Sequence, residues 1–173
     1  MPESTPAEIT ITASALIRQG DSILLVCQHR EQDPYPTWAL LGGRLEQDES
    51  LAHGLVREVR EETGLIIERI GSLVSVAHLV DRPESSQAVS FVFEVGVWGG
   101  TLSPADPDGA VQDARFFSNA DAIPHLERIP WRAMYEPVVS YLRGSHPAGT
   151  VWLYAEHGDT QRLLASLPEQ PQG

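Results

Sequence analysis

The run "REVREETGL" at positions 57–65 sets Glu58, Glu61 and Glu62 within little more than one helical turn and then stops at Gly64. Like charges three and four apart on a helix repel, and acids near a helix C-terminus oppose its dipole. With Leu51 at zero and about 100° added per residue, Leu51, Leu55, Val59, Ala52 and Val56 form an apolar stripe ending near ~140°. On the same wheel Glu62 falls at about 20°, Glu58 at about −20° and Glu61 at about −80°. Two of the three acids therefore overlap the edge of the docking face, which a merely solvated acidic surface would not require. A partly buried carboxylate needs a partner. Arg57 can pair with Glu61, four residues on, whereas Glu58 reaches Arg57 or Arg60 only poorly. One or two arginines do not neutralise these three acids together with Glu46 and Glu49; a divalent cation does. With oxygen ligands and no His or Cys at ligand spacing, the choice falls on Mg²⁺ or Mn²⁺ over Zn²⁺.

The rest of the chain supplies layers for such a helix. "ITITASALIR" (9–18) reads as a strand and "SILLVCQ" (22–28) as a second strand, buried on both faces. The helix spans about 50–63, with Gly64 as its stop. One or two strands follow over 65–80, another over 88–98, and another over 111–118. A short helix follows with Asn119 as its cap, then a helix over 131–144 interrupted or kinked at Pro137. This order predicts an α+β protein, an α/β/α sandwich, better than a regular strand–helix alternation. The expected organisation is a flexible start at 1–8, one domain over 9–144 and an extension over 145–173. In that extension "TVWLYAE" reads as a strand, "DTQRLLASL" as a short helix and "PEQPQG" as a disordered tail. The strand adds an edge to the sheet, crosses to a second subunit as in a homodimer, or covers the site.

The formal charge of −12 disfavours DNA or RNA polymers as partners while leaving room for a small anionic substrate whose charge a metal or arginines offset. No apolar run is long enough to span a membrane, and the N-terminus lacks the pattern of a secretory signal. The single cysteine, Cys27, excludes an internal disulfide and reads as a small buried residue rather than a nucleophile. Together these point to the cytoplasm.

Gly43, Glu49, Arg57, Glu58, Val59, Glu61, Glu62, Gly64 and Leu65 stand at the fixed separations of the Nudix box. The preceding strand pair, Trp38 with Gly42-Gly43, and "ARFFSNADAI" also resemble that family, over about residues 9–143. The resemblance implies a mixed β-sheet between helices, with the box as a loop-helix-loop. It implies Mg²⁺-dependent hydrolysis, with Mn²⁺ as a substitute, of a nucleoside diphosphate linked to another group: ADP-ribose or a nucleotide sugar, a (d)NTP, or a dinucleoside polyphosphate. The implied metal ligands are Glu58 and Glu62, with Glu61 assisting and the Gly42 carbonyl as a further ligand. Arg57 orients a box glutamate, Glu49 supports the loop and helix, and Gly43 and Gly64 are backbone devices. The proton acceptor is Glu58, Glu61, or an aspartate such as Asp113.

Two positions depart from the pattern: Leu41 replaces a frequent proline, and Asp48 a frequent glycine. The acidic loop "ADPDG" fails as a calcium loop, because from Asp106 its glycine comes at position 4 and position 12 is Phe117. Tyr35, in its Pro-flanked loop, either stacks on a base or is plain surface, and Trp38 reads as core. Arg44, Arg82 and Arg115 are candidates for phosphate or sugar, since guanidinium binds phosphate bidentately. His29 and His78 read as structural or exposed. A different class of function, a Nudix-fold binding or regulatory module without catalysis, would normally have lost box carboxylates, and this chain keeps them all.

Overall fold

The computed structural model describes residues 9–29, 33–81, 86–104, 109–158 and 160–168. Residues 1–8, Arg82 and the residues beyond Pro168 lie outside them, and with them the expected flexible start and most of the expected tail. β1 (Ile9–Gln19) and β2 (Ser22–Gln28) pair antiparallel at their turn, with Arg18 opposite Ile23. Alternate residues of a strand face opposite sides, and here the two sides feed two cores. Ala13, Ala15 and Ile17 of β1, with Leu24 and Val26 of β2, pack on one side. Leu16, Ile23 and Leu25 pack on the other.

β3 (Thr37–Ala39) continues from β2, and β4 (Leu41–Arg44) returns along β1. α1 (Leu51–Thr63) then covers the first core with Leu55 and Val59. β5 (Ile66–Arg69) and β8 (Val97–Gly99) form a two-stranded sheet of their own. β6 (Leu73–Asp81) and β7 (Ser86–Val95) pair antiparallel, and β7 lies parallel to β1. β9 (Val111–Ser118) pairs with β2. α2 (Asn119–Leu126) and α3 (Arg132–Leu142) cover the second core through Leu126, Val138 and Val139. The result is the expected mixed sheet between helices. Among the described residues, no helix is long and apolar enough to cross a membrane.

Three local readings change. The cap of α2 is Ser118, one residue earlier than expected; its hydroxyl accepts from the Asp121 amide at 3.2 Å. α3 runs through Pro137, which is buried with Val138 and Val139; the packed face offsets the hydrogen bond that proline removes. The third concerns the C-terminus. Thr160–Leu167, expected to be a short helix, is a strand, β11. Its Gln, Arg, Leu and Ala residues favour helix by propensity, but so short an isolated helix is marginal. Pairing wins: β11 lies antiparallel along β10 (Thr150–His157), from His157 opposite Thr160 to Val151 opposite Leu167. β10 in turn lies parallel to β6, so the main sheet runs β11-β10-β6-β7-β1-β2-β3.

Trp152 and Tyr154 of β10 are buried against Ala77 and Ala133, tying the hairpin to both the sheet and α3. Trp152→Ala is accordingly expected to lower the unfolding free energy by about 3–5 kcal/mol, measured by urea denaturation. A loss below about 1 kcal/mol would mean that the hairpin rests on the fold without supporting it.

Candidate active site

α1 is fixed at both ends. The Ser50 hydroxyl accepts from the His53 amide at 3.3 Å, and Gly64 closes the helix in the left-handed region (φ 73°), its N–H on the Arg60 carbonyl at 2.9 Å. With Leu55 and Val59 fully buried, the acids take the depths that the wheel assigns. Glu62 is 5% exposed, while the side chains of Glu58 and Glu61 are 18% and 41% exposed.

Glu62 is held from the sheet. Gln28 of β2 donates to its Oε1 at 3.1 Å, and the Gly42 amide of β4 donates to its Oε2 at 3.0 Å. This depends on Gly42 having no side chain: its φ is 141°, and a Cβ would stand 2.2 Å from the Ala13 carbonyl oxygen. Gly43 allows a second close approach. A Cβ there would lie 2.5 Å from Glu58 Oε1, so the Glu58 carboxylate rests directly against the backbone. Gln28 escaped the sequence reading; its one signal is a polar residue ending a strand that is otherwise buried.

Arg57 gathers the other acids. Its Nε and Nη2 donate to the two Glu49 oxygens at 2.9 Å each. Its Nη1 donates to Glu58 Oε1 at 2.9 Å and Glu61 Oε2 at 3.1 Å, and Nη2 reaches the Arg44 carbonyl at 3.3 Å. The expected poor pairing of Arg57 with Glu58 is thus corrected. Adjacent helical residues do not face each other, but Arg57 is long enough to turn its fork back along the helix. Arg57, backed by the Glu46 amide, holds the Glu49 carboxyl down to about 2. Glu58 moves the opposite way: burial pushes its carboxyl up, against the pull of Arg57. The several carboxylates around Arg57 raise its own pKa. Asp48, the departure from the family's glycine, adopts φ 63°, a left-handed conformation that aspartate tolerates better than most residues.

Beside this cluster opens a cleft of about 740 Å³. It is lined by Thr10, Thr12 and Ser14 of β1, by Gly42–Glu46, by Arg57 and Glu58, and by Met134 of α3. A recess of about 270 Å³ shares Thr10 and Arg44 with it and runs on to Asp81, Ser86 and Glu156. The β1 hydroxyls are absent from the expected site, though Thr and Ser recur there at every second position; Met134 and Glu156 had no motif to mark them. The remaining candidates fall elsewhere. Tyr35 donates its hydroxyl to the Arg128 carbonyl at 3.1 Å, beneath the Arg128 guanidinium, and lines neither space. Trp38 packs edge-on against Phe117 in the second core. Asp113 pairs with Arg115 at 2.5 Å and lies off the cleft. Cys27, opposite Asp113, has its thiol pushed up by burial and then by that carboxylate, which disfavours a thiolate nucleophile. His78 shares a 2.9 Å hydrogen bond with Gln87.

A divalent cation suits this donor set in kind. The candidate ligands are all oxygens, and four carboxylates, those of Glu46, Glu49, Glu58 and Glu61, surround one fully engaged guanidinium, with Glu62 held beside them by the Gly42 amide. Glu58 and Glu61 already converge on a single cationic atom, Arg57 Nη1, which stands in for an ion. The set is not preassembled: among the described residues, no three acidic, histidine or cysteine side chains stand in ligand geometry. Arg57 would have to yield part of its grip.

The Glu49 shift has a measurable consequence. A carboxyl held below its unfolded value contributes stability that is present above about pH 4.5 and lost as pH falls toward 2. The wild type should therefore exceed Glu49→Gln in stability above pH 5, with the gap closing in acid. Denaturant titrations at a series of pH values read this directly; a gap independent of pH would contradict it.

Comparison with known proteins places this geometry. The family model for the NUDIX domain matches residues 8–138. An ADP-ribose pyrophosphatase of Methanocaldococcus jannaschii is 34% identical over 108 residues, covering 62% of this chain and 60% of that protein. An 8-oxo-dGDP phosphatase NUDT18 of Danio rerio is 25% identical over 152 residues, covering 79% and 45%. The chain thus spans about half the length of these curated relatives. A crystal structure of a MutT protein from Bacillus halodurans superposes with a TM-score of 0.68 at 18% identity, over 93% of this chain and 99% of that one, and so shares the fold. With the domain model covering most of its length and every fixed position of the box in place, the chain belongs to the Nudix family.

Proposed function

We propose that the protein hydrolyses a phosphoanhydride bond in a small nucleotide, a nucleoside diphosphate linked to another group, with Mg²⁺ as cofactor. The observation that carries this is the convergence of Glu58 and Glu61 on one cationic atom at the wall of a cleft of about 740 Å³. A cleft of that size suits a small-molecule ligand. Glu58, Glu61, Glu62 and the Gly42 carbonyl would hold the cation, which supplies charge neutralisation at the diphosphate and a more acidic water.

The protein's own groups do the rest. Gln28 and the Gly42 amide fix Glu62, and Arg57 ties Glu49, Glu58 and Glu61 into one hydrogen-bonded set. Of the three box acids Glu58 is the one that lines the cleft, which makes it the choice to take a proton from water. Thr10 and Ser14 offer hydroxyls to phosphate oxygens, while Thr12 Oγ1 donates to Ser90 Oγ at 2.9 Å. The names of the relatives, an ADP-ribose pyrophosphatase and an 8-oxo-dGDP phosphatase, support nucleotide phosphoanhydride chemistry.

The purified protein with Mg²⁺ should release nucleoside monophosphate from at least one of ADP-ribose, a dinucleoside polyphosphate, or a (d)NTP, and EDTA should abolish the release. Glu58→Gln and Glu62→Gln should each lower kcat/KM by about 10²–10⁴-fold, with melting temperatures near that of the wild type. Nucleotide binding without turnover in either Mg²⁺ or Mn²⁺ would instead mark a binding module.

A further inference from the structure

The C-terminal hairpin extends the cleft. β10 sets Tyr154 opposite Leu79 and Glu156 opposite Asp81; β6 sets Leu79 opposite Ala88, and β7 sets Ala88 opposite Thr10. Residues directly opposite one another share a face of the sheet. One face therefore carries Glu156, Asp81 and Thr10, and it is the face against which α3 packs, because Trp152 and Tyr154 are buried there with Ala133. The end of this face toward Glu156 forms the recess of about 270 Å³, which joins the cleft through Thr10 and Arg44.

Glu156 is held in place by β11. Gln161 Nε2 donates to Glu156 Oε1 at 3.3 Å, while Gln161 Oε1 accepts from the Ala133 amide at the start of α3 at 2.9 Å. One side chain thus fixes the carboxylate and the helix beside it. A carboxylate is an acceptor only, so at the end of a cleft it favours hydroxyl groups and opposes further phosphate.

We propose that Glu156, set beside Asp81, accepts hydrogen bonds from the hydroxyls of a sugar joined to the diphosphate, so that the hairpin directs the enzyme toward diphosphate-linked sugars and away from triphosphates. Glu156 lies beyond residues 8–138, the span that the family model matches, whereas Asp81 and Thr10 lie within it. The assignment rests on the reading of the cleft as a phosphoanhydride hydrolase site.

The test compares ADP-ribose with ATP, which share their ADP half, in wild type, Glu156→Gln and Glu156→Ala. Wild type should favour ADP-ribose. Glu156→Ala should lower the ratio of kcat/KM for ADP-ribose over ATP about tenfold, through KM, with Glu156→Gln between. Thermal melts establish that the variants fold. An unchanged ratio, an equal loss on both substrates, or a wild type that prefers ATP overturns the sugar subsite and leaves the hydrolase reading standing. Calorimetric binding of ADP-ribose separates the converse case: binding that weakens about tenfold in Glu156→Ala, in a protein without turnover, keeps the subsite and removes the hydrolase.

Discussion

The Arg57 guanidinium is the counter-charge on which the acidic side of α1 depends. It binds Glu49 through both oxygens and bridges Glu58 and Glu61 through one nitrogen. Without it, half-buried carboxylates would face each other across one turn with no compensation, a situation that low-dielectric surroundings make costly. Arg57 bonds Glu49, Glu58 and Glu61 at once, so these acids outnumber the guanidinium that binds them; burial, and after it the neighbouring carboxylates, push the Glu58 carboxyl up against the pull of Arg57. A surplus of oxygen ligands at the wall of an open cleft is what a divalent cation requires.

The sheet supplies what the helix lacks. β4 returns along β1 with Gly42 opposite Ser14, bringing a backbone amide under Glu62, while Gly43 leaves room for Glu58. The same register places the Thr12 and Ser14 side of β1 along the cleft floor. Its odd positions, from Ala13 to Ile17, go to the core beneath α1. One strand thus serves both a core and the wall of the cleft through period-two alternation alone. At the far edge β10 and β11 continue the sheet, and Gln161 links Glu156 to the start of α3.

What the sequence made legible follows from local periodicity. The wheel ordered Glu62, Glu58 and Glu61 by depth, and Gly64 marked the helix end, because both depend on residues a turn or so apart. Asp48 shows why the box often has glycine there: the backbone is left-handed at that point. Features set by distant segments were not legible. Gln28 meets Glu62 across 34 residues, and Glu156 joins Asp81 through a parallel pairing that no local pattern encodes. β11 was misread because its helix-favouring residues adopt a strand only beside β10. Arg57–Glu58 was underrated because residue spacing says little about where a long, forked side chain ends.

The central claim is that the acidic edge of α1 is a divalent-cation site, and Mn²⁺ binding tests it most directly. The electron paramagnetic resonance signal of free Mn²⁺ should fall on addition of the protein and return when excess Mg²⁺ is added. The loss should be much smaller with Glu62→Gln. A free Mn²⁺ signal that the wild-type protein leaves unchanged, with nucleotide present or absent, would contradict the account.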